Sequence, residues 1–207
     1  MANLELEGAQ FLHERDNSQA VNSDSTLDPY ITGVLESKLT EFGKEGELYK
    51  QKVSDMKRMT EITNKKDPLS IEDLRFLYEI DGKIVGFGYR KDPRIEEVLK
   101  GRNIRGDLSR ILGCRENQIS FTTEEALSGD DIEYHYGDLD LKGRTSAEGL
   151  ELPNSVSGDL DLRALTSAEG LELPNSVGVD LNLEGLTSVE RKQLRKTYPN
   201  LSIYPNP

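Results

Sequence analysis

The sequence predicts an α+β protein, a small α-helical N-terminal domain followed by a short parallel β-solenoid, and three observations carry that prediction. The first is a repeat. GDLDLKGRTSAEGLELPNSVS, from Gly137 to Ser157, is followed by GDLDLRALTSAEGLELPNSVG, from Gly158 to Gly178, and by the drifting VDLNLEGLTSVE from Val179. A fixed period of about 21 residues with apolar residues at fixed phases marks stacked repeats. The second is the helical apolar spacing, with clear stop signals, of the segment before the repeats. The third is charge. Gly137 to Val189 holds ten acids against three bases, whereas Arg90 to Arg115 holds eight bases against four acids, which places a boundary between the two stretches. Three regions follow: a flexible N-terminal arm over 1–26, an α-helical domain over 27–116, and a leucine-rich-repeat-like domain of about four coils with a C-terminal cap over 117–207.

The arm is polar and without a sustained period, a composition that buries too little to offset ordering. Asp28-Pro29 then reads as N-cap and first helical position, with Ile31, Val34, Leu35 and Leu39 on one stripe. A second helix from about Glu45 to Thr63 turns Tyr49, Val53, Met56 and Ile62 toward a core and stops before Asp67-Pro68. Ser70 with Asp73 forms a capping box for a third, through Phe76, Leu77 and Ile80. Asp92-Pro93 opens a helix over Arg94 to Lys100, and Ile104 to Leu112 makes another, with Gly113 as its C-cap.

In the repeats GDLDL alternates, so Leu139/Leu141, Leu160/Leu162 and Leu181/Leu183 point inward and the acids outward. Thr145 to Glu148 and Thr166 to Glu169 read as capping boxes of one helical turn, ended by Gly149 and Gly170. GLELP alternates again and reads as a second strand in each coil, with Leu150/Leu152 and Leu171/Leu173 inward. The third box, Thr187 to Glu190, lacks the glycine, so its turn grows into a capping helix packed through Val189, Leu194 and Tyr198; Leu201 and Ile203 then supply the missing second strand. Upstream, Ile119/Phe121, the box Thr122 to Glu125 and Ile132/Tyr134 form a worn first coil.

The stretch LPNSVSGDLDLRALTSAEG resembles the degenerate leucine-rich repeats of bacterial proteins and, in V-x-GDLDL, the coils of receptor-L-like right-handed β-helices, without the leucine-rich-repeat asparagine. From LDPYITGVLESKLTEF through EDLRFLYEIDGKIVGFGYRKDPRIEEVL to the repeats, the chain is similar to the C-terminal portion of long uncharacterised proteins of candidate-phylum bacteria, where the same helical segment precedes LTSAEGLELP coils. That resemblance covers nearly everything after Ser25 and implies a stand-alone or trimmed accessory module, with no activity to carry over.

Composition narrows the function. The net charge of −12 argues against nucleic acid and anionic membranes, both of which draw on Lys and Arg. No run approaches the roughly 20 apolar residues of a membrane span. No apolar leader follows Met1, and Cys114 is the single cysteine, which together point to a reducing, cytoplasmic setting. His13 and His135, the latter read as outward-facing, cannot with one cysteine make a typical zinc site. GxSxG, HExxH and P-loop motifs are absent, and Gly86-x-Gly88 alone is no dinucleotide fingerprint. No catalytic set, cofactor or metal is therefore expected. DLSRILGCRENQIS fits the start of a helix-turn-helix, but the acidic FTTEEALSGDD after it has the wrong sign for a recognition helix.

The candidate site is the outward ladder: Asp138, Asp159 and Asp180 in one row, Asp140, Asp161 and Asn182 in the next, with Glu151 and Glu172 beside them. Strands stack about 4.8 Å apart, so the rows form either a solvated face, a docking strip for a basic protein, or a calcium edge, for which the GGxGxDxUx nonapeptide is missing. The expected function is a non-enzymatic protein-protein interaction scaffold using this acidic face. The alternative is a nucleic-acid-associated or phosphate-mimicking regulatory protein working through the basic segment 90–115.

Overall fold

Local capping chemistry sets the helices. In a computed structural model, which describes residues 37–88, 91–129 and 131–206, helix α1 runs Lys44–Thr63. The expected arm and the start of the first expected helix lie outside the described residues; residues 37–41 are helical. Helix α2 (Ile71–Leu77) begins at the Ser70/Asp73 capping box, with both reciprocal hydrogen bonds made. Helix α3 (Pro93–Leu99) starts at Asp92, whose side chain accepts from the Arg94 amide. Helix α4 (Ile104–Leu112) starts at Asn103 and ends at Gly113, whose φ of +70° is the left-handed cap glycine adopts without strain. These ends match the sequence expectation. The stripe of α1 does not: Tyr49 is 36% and Val53 44% exposed, and the buried side chains of this helix are Asp55, Met59 and Ile62.

The chain is of the α+β class, and its described residues hold two four-stranded parallel sheets of two-residue strands. The first holds β1 (Ile119–Ser120), β2 (Tyr134–His135), β4 (Ser155–Val156) and β6 (Ser176–Val177), in that order. The second holds β3 (Leu139–Asp140), β5 (Leu160–Asp161), β7 (Leu181–Asn182) and β8 (Ile203–Tyr204). Equivalent repeat residues pair in register, Leu139 with Leu160 and Leu160 with Leu181. Leu139, Leu160, Leu162, Leu181 and Leu183 are fully buried between the sheets' repeats, in one core with Leu165, Leu186 and Ile203.

Three details correct the repeat reading. The second strand is not GLELP but the following Ser-Val, because Pro153 and Pro174 cannot donate and pairing resumes at the next amide: Asn154 N–H to Ile132 O at 3.1 Å, Asn175 N–H to Asn154 O at 2.8 Å. TSAE forms no helical turn. Ser146 and Ser167 Oγ accept the amide two residues on, and Leu150 N–H returns to Ala147 O across Gly149, φ +64°, a turn that satisfies locally the groups a helix would use. At the start, Ile119 pairs with Tyr134, and Ile203 pairs with Leu181. The first element therefore continues the Ser-Val row and the last the Asp-Leu row, the reverse of the expected phases. Helix α5 (Thr123–Ala126), capped by Thr122, occupies the place of an Asp-Leu strand before β3.

Helix α6 (Ser188–Thr197) grows from the Thr187/Glu190 capping box, as the lost glycine predicts. Leu194 is buried and Tyr198 packs on the core, but Val189 is 76% exposed and takes no part.

The chain divides into two units, Met1–Ser54 and Asp55–Pro207. The boundary expected near 116 falls inside the second, where Leu74, Tyr78, Leu108 and Ile111 form one core with Ile119 and Tyr134. The basic segment is locked into this unit by its own acids: Arg94 with Asp92, Arg102 with Asp107 at 2.7 Å, and Arg105 with Glu125 at 2.8 Å. Among the described residues no helix is long and apolar enough to cross a membrane.

Candidate partner-binding face

Each aspartate row does a backbone task before it can meet a partner. In the first row, Asp138 Oδ1 accepts the Asp159 amide at 2.9 Å, Asp159 Oδ1 accepts the Asp180 amide at 2.9 Å, and Asp180 Oδ1 accepts from Ser202 Oγ at 3.0 Å. The carboxylates thus run as a ladder, in which Asp138 and Asp159 each satisfy an amide of the next repeat and Asp180 takes a hydroxyl. Gly158 makes room for it, since a Cβ there would lie 2.0 Å from Asp138 Oδ1. Asp138, Asp159 and Asp180 are exposed, and no ion pair joins any of them among the described residues.

The second row works within its own strand. Asp140, Asp161 and Asn182 Oδ1 each accept the amide two residues on, at 3.1 Å, from Lys142, Arg163 and Glu184 respectively, the Asx-turn geometry that ends a strand. Lys142 Nζ pairs with Asp140 at 2.7 Å, and Arg163 binds Asp161 through a forked contact. The Lys142 hydrogen bond holds the Asp140 carboxyl below its ordinary pKa, and the Arg163 hydrogen bond does the same for Asp161. This row is therefore neutralised in part, and the first is not.

Glu151 and Glu172 are exposed but lie in the irregular stretch between strands, so the structure does not seat them in the aspartate rows. Of the glutamates three positions earlier in the repeat, Glu148, Glu169 and Glu190, the last reaches back from the cap, its Oε1 accepting the Ala168 amide at 3.0 Å. Glu151 lines, with Asp131, Ile132, Leu152 and Asn154, an open depression of about 250 Å³.

Sequence reasoning misplaced His135. It is 1% exposed, at the position Val156 and Val177 fill in the next repeats. Both faces of β2 are covered, one by the repeat core and one by α2 and α4 through Tyr134, so no residue of this strand can face water. Nε2 donates to Asp138 O at 3.1 Å, and Nδ1 then accepts from Ser120 Oγ at 2.9 Å. Burial pushes its pKa down and keeps the ring neutral. The signal available in the sequence was the alignment of Tyr-His-Tyr-Gly-Asp with Ser-Val-Ser-Gly-Asp, which puts His135 in an apolar phase.

Cys114 is half-buried against the helical core, and burial raises its thiol pKa. Among the described residues no three His, Cys, Asp or Glu side chains gather in a metal-binding group. No family model, curated protein or solved structure matches the chain.

Proposed function

We propose that residues 117–207 form a short β-solenoid that serves as a non-enzymatic protein-interaction scaffold, with a basic protein segment as its partner. The observation that carries this reading is the row Asp138, Asp159 and Asp180: three exposed carboxylates, each held by a hydrogen bond to the next repeat or the chain after it, and joined by no ion pair among the described residues. Carboxylates already held in place lose little freedom when a partner binds, which favours affinity from few contacts. Lysines or arginines in an extended partner, spaced to meet strands about 4.8 Å apart, would engage the free Oδ2 atoms. Asp140 and Asp161 join only if the partner displaces Lys142 and Arg163, so they contribute less. The basic segment 90–115 supports the nucleic-acid alternative less well, because Arg94, Arg102 and Arg105 are spent on internal carboxylates.

The test keeps the ladder and removes its charge. Asn retains an Oδ1 acceptor, so Asp138→Asn/Asp159→Asn/Asp180→Asn preserves the hydrogen-bond geometry. Calorimetric titration with an oligolysine peptide at two salt concentrations should show salt-dependent binding by the native chain and about tenfold weaker binding by the triple variant, the loss expected when surface charge complementarity goes. Equal affinities for the two proteins would overturn the reading.

A further inference from the structure

Helix α6 sorts its bases by face. Its two arginines turn onto the chain, Arg191 donating to the carbonyls of Leu183, Glu184 and Leu186, and Arg195 to those of Ile203 and Pro205. Its two lysines, Lys192 and Lys196, are exposed, and neither enters an ion pair among the described residues. Beside them stands Val189, at 76% exposure the barest of the large apolar side chains described. Positions 189, 192 and 196 follow the i, i+3, i+7 spacing of a single helix face. That face is therefore an apolar side chain followed by two unpaired cations.

The first aspartate row presents the complementary order. The residue before each of its aspartates is Gly137, then Gly158, then Val179, which is 38% exposed next to Asp180. From the level of Val179 the row continues to Asp159 and Asp138 on successive strands, at about 4.8 and 9.6 Å. A helix rises 1.5 Å per residue, so Lys192 lies about 4.5 Å and Lys196 about 10.5 Å along the axis from Val189. With Val189 set against Val179, the two lysines come level with Asp159 and Asp138. Within one chain no ion pair joins them among the described residues.

We propose that the aspartate row docks helix α6 of a second copy of this chain, so that the protein associates with itself. This inference rests on the acidic-face reading above and names the basic segment that the face takes. Each copy carries both halves of the contact. Val189 packs on Val179 at one end, and Lys192 and Lys196 bind the free Oδ2 atoms of Asp159 and Asp138, whose Oδ1 atoms stay on their amides. Opposite charges thus meet locally although the whole chain carries −12, and local pairing of this kind sets register and partner choice.

Sedimentation equilibrium of the full chain over a concentration series tests this. The native chain should associate, and Lys192→Gln/Lys196→Gln and Asp138→Asn/Asp159→Asn/Asp180→Asn should each weaken association about tenfold, the loss expected for two exposed ion pairs. Val189→Ser, which leaves every charge in place, should weaken it several-fold. A mixture of the lysine variant with the aspartate variant should associate more strongly than either alone, because it reunites a native row with a native helix. A native chain that stays monomeric, or association that either charge variant leaves unchanged, would overturn the proposal. Oligolysine titration separates this from the underlying reading: Lys192→Gln/Lys196→Gln keeps the row and should bind the peptide as the native chain does. Oligolysine binding by a monomeric native chain would overturn self-docking and leave the acidic-face reading standing, whereas loss of both would overturn the two together.

Discussion

The two ends of the strand stack are closed by different chemistry. At the C-terminal end one helix does the work: α6 starts on its own capping box, buries Leu194, and lays Arg195 on the carbonyls of β8. At the N-terminal end the closing is shared. α2 and α4 cover the outer face of β1 and β2, α5 fills the interior beside Leu139, and a polar pair, Ser120 with His135, replaces the valines of later repeats. The C-terminal end is a local device that one repeat unit can encode, whereas the N-terminal end depends on residues more than 40 positions upstream, such as Leu74 and Tyr78.

That contrast can be broken in graded steps. The largest effect belongs to the shared middle: Leu160→Ala, at a fully buried site, should cost about 2–5 kcal/mol in denaturant unfolding and destabilise both ends together. Next, His135→Val should cost about 1–3 kcal/mol, since Ser120 Oγ and Asp138 O lose their partner. Adding Ser120→Ala should recover part of that loss, and a double-mutant cycle will read it.

The same histidine gives the N-terminal end a pH dependence. Its folded pKa lies below its unfolded value, so the neutral ring favours the folded state fully above the unfolded pKa of about 6.5. As pH falls below that value the unfolded chain takes up the proton first, and stability declines until the folded pKa is passed. Melting curves between pH 7 and 5 should show this decline in the native protein and a weaker one in His135→Val.

A smaller effect tests the other end. Thr187→Ala removes the side chain that accepts the Glu190 amide and should cost about 1 kcal/mol, with no change in the pH profile. The smallest is expected from Asp138→Asn/Asp159→Asn/Asp180→Asn, which retains the acceptors and relieves like-charge repulsion. Its unfolding free energy should stay within about 1 kcal/mol of the native value, so a larger drop would show that the negative charge itself, and not only the oxygen, holds the ladder.

Most helix ends were legible because caps are local: Ser70/Asp73, Asp92-Pro93, Gly113 and Thr187/Glu190 act within four residues of themselves. The strands were legible only as a period. Leu150-Glu151-Leu152 has the alternation of a strand, but alternation cannot reveal that Pro153 interrupts the donors, and the pairing row begins one residue later. In the TSAE boxes the Glu148 and Glu169 amides go to Ser146 and Ser167 and not to the threonines. In the candidate site, the residues of both aspartate rows were readable from spacing, while their partners were not. The ladder bonds cross 21 positions of sequence, and the neutralising Lys142 and Arg163 occupy repeat positions where Glu184 stands in the third unit.

By itself the sequence determined the repeat period, the inward leucines, the helix starts and the point where the array stops. Each depends on residues close together in the chain or on identical residues recurring at one interval. The tertiary structure alone decided that β2 is buried on both faces, that His135 is a neutral core residue, that Asp138 and Asp159 serve backbone amides, and that β3 is an end strand of its sheet among the described residues. Those outcomes depend on which surfaces meet, and burial and hydrogen-bond satisfaction are properties of a residue's surroundings that its neighbours in sequence do not specify.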